Sequence, residues 1–136
     1  MKNINWKLVI GLSLLGLTIA LLTTFGIITM QVEQIIWIVV LLLNSFLVAK
    51  MCNSGYFLNG FMISIANCVW ITSIHVLLMD QYLANNPDYM TMLKDMWYST
   101  RPRVMALWMG PLIGIVIGIV QGLLSLGISK LMRAKR

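Results

Sequence analysis

The sequence predicts an all-α membrane protein, with four transmembrane helices in an antiparallel bundle and a short interfacial amphipathic helix between helices three and four. Three observations carry that expectation. Of 136 residues, 60% are hydrophobic and only 10% are charged, too few polar groups to cover a soluble domain. The apolar residues gather into four long runs, and about 20 residues at a rise of about 1.5 Å cross ~30 Å of hydrocarbon. Basic residues are distributed unevenly among the connections between those runs, which sets an orientation. The chain reads as one transmembrane domain over 1–136, with spans at about 8–30, 32–50, 56–82 and 104–131.

The first span follows Lys2 and Lys7 and is too long for a signal-peptide core. It has no small-x-small cleavage site before the polar Gln31-Val32-Glu33-Gln34, so it reads as a retained helix. Gly16, Ala20 and Thr24 place small side chains on one strip of it at every fourth residue. The second span is short and becomes adequate if the Lys50 ammonium snorkels to the interface. It carries Asn44 and Ser45.

The third span holds most of the intramembrane polarity. Gly60, Ser64, Asn67, Cys68, Thr72 and His75 fall within about 140° on a helical wheel, and that arc should face the bundle. Asn44, Ser45 and Gln121 are its candidate partners, because an unpaired amide in hydrocarbon costs several kcal/mol. The expected outcome is an interhelical hydrogen-bond network that includes His75 as a satisfied structural histidine, rather than a substrate site. No acid lies in the interior of a predicted span, Glu33 and Asp80 falling at outer ends, which argues against a proton-coupled exporter with a membrane-embedded glutamate.

Between spans three and four, Asn86-Pro87-Asp88 reads as a helix start: an N-cap, a proline at the first position and an acid at the positive dipole end. A helix over about 87–98 then puts Tyr89, Met92, Leu93, Met96 and Trp97 on one side, suited to lying at a membrane surface. The fourth span repeats glycine at 110, 114, 118 and 122. Gly110, Gly114, Gly118 and Gly122 sweep an arc of about 120°, joined by Pro111, Gln121, Ser125 and Ser129. In a bilayer such a ridge is a packing surface, since close backbone approach supplies the dispersion contact that hydrophobicity does not. Its expected partner is the Gly16, Ala20, Thr24 strip of the first span, or else a second copy of the chain.

With the N-terminus inside, Lys2, Lys7, Lys50, Lys130, Arg133, Lys135 and Arg136 all lie on the inner side, and Glu33, Asp80, Asp88 and Asp95 on the outer. Lys94, Arg101 and Arg103 share the outer loop with three of those acids and can pair with them. The charge of +6 is therefore a topology signal, with both termini cytoplasmic, and not a nucleic-acid-binding face.

Chemistry is sparse. The two cysteines, Cys52 and Cys68, would sit roughly 24 Å apart along a helix, and neither CxxC nor zinc spacing occurs. Six of eleven methionines fall between 79 and 109, and Met92 with Met96 would place two thioethers on one helix face, a low-ranking Cu(I) site beside the ordinary role of methionine as gap-filler. No cofactor is expected. No paired carboxylates or nucleophile motif are present, so the chain is expected not to be an enzyme.

The hairpin lengths, the "NNPDY" loop and the closing "GPLIGIVIGIVQGLLSLGISKLM" resemble small four-helix bacterial inner-membrane proteins grouped as a domain of unknown function, over residues 35–132. The resemblance implies a fold and an inner-membrane location, and no activity. Two functional expectations follow. The first is a non-enzymatic membrane component, an accessory or self-associating subunit with the lipid bilayer and a second copy or another membrane protein as partners. The second is an oligomeric small transporter or channel lined by the polar face of the third helix.

Overall fold

The computed structural model describes residues 4–94 and 100–134. They form α1 (Trp6–Thr24), α2 (Met30–Met51), α3 (Tyr56–Leu77), α4 (Met79–Asn85), α5 (Pro87–Lys94) and α6 (Pro102–Ala134), with no strand among the described residues. Four of these helices, α1, α2, α3 and α6, are long and apolar enough to cross a membrane.

Local chemistry explains the boundaries. Asn5 caps α1 by accepting the Leu8 N–H at 3.2 Å, and Gly26, in the left-handed conformation at φ 69°, ends it. The Gly26 N–H donates to the Thr23 carbonyl and the Ile27 N–H to the Leu22 carbonyl, which satisfies the last turn. The first helix therefore stops at Thr24 and not near residue 30, a difference set by the one residue type that tolerates this backbone turn. Thr29 then caps α2, so Gln31–Gln34 belong to its first turns. Glu33 is 8% exposed there, and its carboxylate accepts the Trp37 indole N–H at 3.2 Å. Glu33 thus belongs to the first turn of an apolar helix and not to its interior, as expected, but it is buried.

Gly55 turns the chain at φ 67° into α3. The third run does not continue as one helix to residue 82. Leu78, at φ −108° and ψ 30°, interrupts it, and α4 begins at Met79. Asn86 directly precedes Pro87, the first residue of α5, as expected, and it also ties back to the preceding elements. Its side-chain nitrogen turns back to donate to the carbonyls of Tyr82 at 2.9 Å and Thr23 at 3.0 Å, closing the ends of α4 and α1 together. Asn85 adds a bond to the Thr24 carbonyl at 2.9 Å. Arg103 pairs with Asp80 at 2.8 Å, an exposed pair worth well under about 1 kcal/mol.

The packing order is the main departure from expectation. The broadest contact is α3 with α6, followed by α1 with α3 and α2 with α6, so α3 lies between α1 and α6. The glycine ridge of α6 faces α3 and not α1. A Cβ placed at Gly114 would lie 2.7 Å from the Cys68 side chain, and one at Gly122 would lie 2.9 Å from the Phe57 carbonyl. Gly118 meets Phe61 and Gly110 meets Thr72 in the same way. Gly16 of α1 receives Asn67, again from α3. The α6 ridge and Gly16 of α1 thus serve one central helix, whose polar and aromatic side chains fill the grooves that the missing Cβ atoms leave. With its ridge covered from within the chain, α6 does not offer it to a second copy. Ala20 is fully buried, and Thr24, also fully buried, spends its hydroxyl on the Ala20 carbonyl.

Asn59 and Arg133 lock the opposite end. The Asn59 carbonyl oxygen accepts the Asn5 N–H at 2.7 Å while its nitrogen donates to the Gly55 carbonyl at 3.0 Å. Arg133 donates to the Asn53 carbonyl and the Tyr56 hydroxyl and lies over the Tyr56 ring at 5.3 Å. Gly11 and Gly127 contrast with the ridge, because a Cβ at either meets nothing within 4 Å. Gly11→Ala and Gly127→Ala should each stabilise the fold by about 0.5–1 kcal/mol through helix propensity alone. Chemical denaturation in mixed micelles checks this, and a loss of stability would show contacts at those faces that the isolated chain lacks.

Candidate functional site

A cavity of about 460 Å³ lies between α2, α3 and α6, with Tyr89 of α5 at one end. Along α2 its lining runs from Gln34 to Asn44, a length of about 15 Å. The end beside α5 carries Gln34, Trp37, His75 and Tyr89, and the far end carries Asn44, Ser64 and Gln121. Aliphatic side chains, among them Leu41, Ile71, Ile113 and Ile117, form most of the wall.

The sequence pattern explains why polar groups collect here. Ser64, Cys68 and Thr72 of the α3 arc face the α6 glycines, and the first two donate to α6 carbonyls that those glycines leave accessible. The Cys68 thiol donates to the Gly110 carbonyl at 2.8 Å and Ser64 makes a long bond to the Gly114 carbonyl at 3.4 Å. From α2, the Ser45 hydroxyl donates to the Leu41 carbonyl at 2.8 Å and approaches the Gln121 carbonyl at 3.5 Å.

The larger polar side chains do not follow. Among the described residues, the buried side-chain atoms without a hydrogen-bond partner are Nδ2 and Oδ1 of Asn44, Oδ1 of Asn67, Nε2 of His75 and Nε2 of Gln121. Every one of these four residues lines the cavity. The expected amide network between helices is therefore not made, and His75 is not the satisfied structural histidine that the sequence predicts. Its ring instead stacks on Tyr82 at 4.0 Å between centroids, and Tyr82 meets the edge of Tyr89 at 5.1 Å. Burial foremost, then the Glu33 carboxylate and Tyr89, push the Tyr82 phenol up, and burial does the same for Tyr89. Both stay neutral hydrogen-bonding groups near pH 7.

The α5 segment is held over this end by the Gln31 side-chain nitrogen, which donates to the Asp88 carboxylate. Leu93 is buried, whereas Met92 is exposed. Met96 and Trp97 lie outside the described residues, so the structure takes the predicted surface helix only as far as Lys94. Among the described residues no group of three or more His, Cys, Asp or Glu side chains is placed to hold a metal ion. Both cysteines are free, and burial pushes the Cys52 thiol up.

Of the predicted polar face, Ser64, Asn67, Thr72, His75 and Gln121 come together around the cavity. Sequence reasoning overlooked the contribution of Trp37 and Tyr89 to the lining. Their signal was present in part, since Trp37 falls one and two turns from Gln34 and Asn44 on α2. Comparison of the chain with family models, with curated proteins and with solved structures returned no match.

Proposed function

We propose that this protein is a non-enzymatic, multi-pass membrane protein that holds a small molecule in the cavity between α2, α3 and α6. The observation that carries this reading is that, among the described residues, Asn44, His75 and Gln121, which hold four of the five unpartnered buried polar atoms, all line one cavity, while the fifth, Asn67 Oδ1, lies against Gly16 of α1. A buried polar atom left unpaired costs about 1–3 kcal/mol, so three such residues around a purely structural space would be a large unrelieved penalty. A ligand that hydrogen-bonds to them removes it. An apolar wall with a few convergent polar groups is also the usual composition of a small-molecule site.

In this reading the four long helices form an antiparallel bundle in a bacterial inner membrane, with both termini in the cytoplasm and α5 at the outer surface. That orientation puts Lys50, Lys130 and Arg133 on the inner side and Asp80 and Asp88 on the outer. It also groups the chain with the four-helix inner-membrane proteins that its loop and closing helix resemble. The cavity would then run from the outer side to near mid-membrane at Asn44 and Gln121. A cavity open along the exposed side of Ile38, Ile113 and Ile117 suits a carrier or receptor subunit better than a through-channel. Coverage of the α6 ridge by α3 favours this over self-association through the glycines.

Cysteine accessibility tests the reading. In a Cys52→Ala, Cys68→Ser background, Asn44→Cys should react with N-ethylmaleimide in the folded protein. Ser45→Cys should not, because Ser45 is equally buried but absent from the cavity wall. Equal protection of both positions would show that the chamber does not admit solutes.

A further inference from the structure

We infer that the ligand of this cavity is an uncharged, largely apolar ring compound with one polar edge that both donates and accepts hydrogen bonds, a carboxamide or a hydroxyl, seated against Asn44 and Gln121. The inference rests on the cavity being a binding site and adds the chemistry of what it selects. No Asp, Glu, Lys or Arg lines the chamber. A carboxylate or ammonium would therefore enter without a counter-charge and lose several kcal/mol of hydration. The Glu33 carboxylate does not supply one, since it is absent from the wall and is engaged by the Trp37 indole.

The polar edge follows from which atoms are unpaired. Asn44 offers both an acceptor, Oδ1, and a donor, Nδ2, and Gln121 adds a second donor, Nε2. A primary or secondary amide complements that set: its N–H donates to Asn44 Oδ1, and its carbonyl accepts from Asn44 Nδ2 and Gln121 Nε2 with its two lone pairs. A simple ketone or ether would leave Oδ1 unpaired, whereas a hydroxyl, with one donor and two lone pairs, meets the same three atoms as the amide. The Ser45 approach to the Gln121 backbone brings α2 and α6 together at this level, so both side chains belong to the same end of the chamber. The rest of the wall is aliphatic with the Trp37 indole, and a volume of about 460 Å³ accommodates a bicyclic ring.

Equilibrium dialysis of the full-length protein in lipid nanodiscs, with empty nanodiscs subtracted for partitioning, tests this with four isosteric probes. They are 2-naphthamide, 2-naphthoate, 2-naphthylmethylammonium and 2-ethylnaphthalene. Saturable binding of 2-naphthamide at least tenfold tighter than each of the others is expected. Asn44→Leu and Gln121→Leu should each weaken it at least tenfold, and Leu41→Trp, which fills the chamber, should abolish it. Because Asn44→Leu removes unpaired groups, loss of binding in that variant is not a loss of fold, and its thermal midpoint verifies this in the same samples.

Naphthoate or the ammonium binding as tightly as the amide, with both lost in Leu41→Trp, would overturn the ligand class and leave the cavity as a site. Equal binding of ethylnaphthalene, or amide binding unchanged in both leucine variants, would overturn the polar edge. Saturable binding of none of the four would overturn the ligand class, and protection of Asn44→Cys from N-ethylmaleimide would separately remove the site itself.

Discussion

Gly122→Ala is expected to lower the stability of the folded protein by about 1–3 kcal/mol, the range for forcing extra carbon into a packed interior. The reason is the identity of the atoms in the way. A Cβ at Gly122 would lie 2.9 Å from the Phe57 backbone carbonyl and 2.7 Å from its ring. The ring can rotate aside, but the carbonyl cannot move without displacing α3. Gly60, on the other side of the same seam, is in the reciprocal position, its Cβ falling 2.9 Å from the Gln121 backbone carbonyl. Gly60→Ala should therefore match Gly122→Ala, and the double variant should lose less than the sum, because one separation of the helices relieves both clashes. Denaturation in micelles beside Gly11→Ala provides the comparison. Equal stability of Gly122→Ala and the parent would show that α3 and α6 do not meet through this seam.

Asn44→Leu should act in the opposite direction and raise the stability of the unliganded protein by about 1–3 kcal/mol. Asn44 is fully buried, and neither polar atom of its side chain has a partner. Leucine removes that penalty, and the adjoining cavity has room for its larger side chain. Asn59 supplies the control. It is as deeply buried, but its amide accepts the Asn5 N–H and donates to the Gly55 carbonyl, so Asn59→Leu should destabilise. Opposite signs for two buried asparagines would identify Asn44 as a residue kept against stability, the signature of a site under functional demand. A loss of stability in Asn44→Leu would mean that its amide is satisfied inside the protein and would remove the basis of the proposed site.

Much of the local architecture is legible in the residues. The four apolar runs became four long helices, and the polar arc of α3 came to lie around the cavity. The early end of α1 was also available in principle, since Gly26 precedes Thr29, a helix stop followed by a helix start. It was hidden by the run of apolar residues between them, which hydropathy alone does not interrupt. The break at Leu78 had no comparable signal, as neither glycine nor proline marks it. The partner of the glycine ridge was misassigned for a physical reason. Spacing says that a face is small and admits close approach, but it does not say whether a matching strip of small residues or a row of larger side chains fills it.

The sequence by itself determined that the chain is helical, that four stretches are apolar enough to span a bilayer, and which face of each carries the small and polar residues. These follow from composition and a 3.6-residue period, which are properties of one helix at a time. Only the tertiary structure decided that α3 stands between α1 and α6, so that the α6 ridge and Gly16 of α1 both receive its side chains. It alone decided, too, that Asn44, Asn67, His75 and Gln121 surround an open space instead of bonding to one another. Whether two amides pair depends on the separation and rotation of the helices that carry them, and those are fixed by the sum of all the packing contacts, not by any single segment.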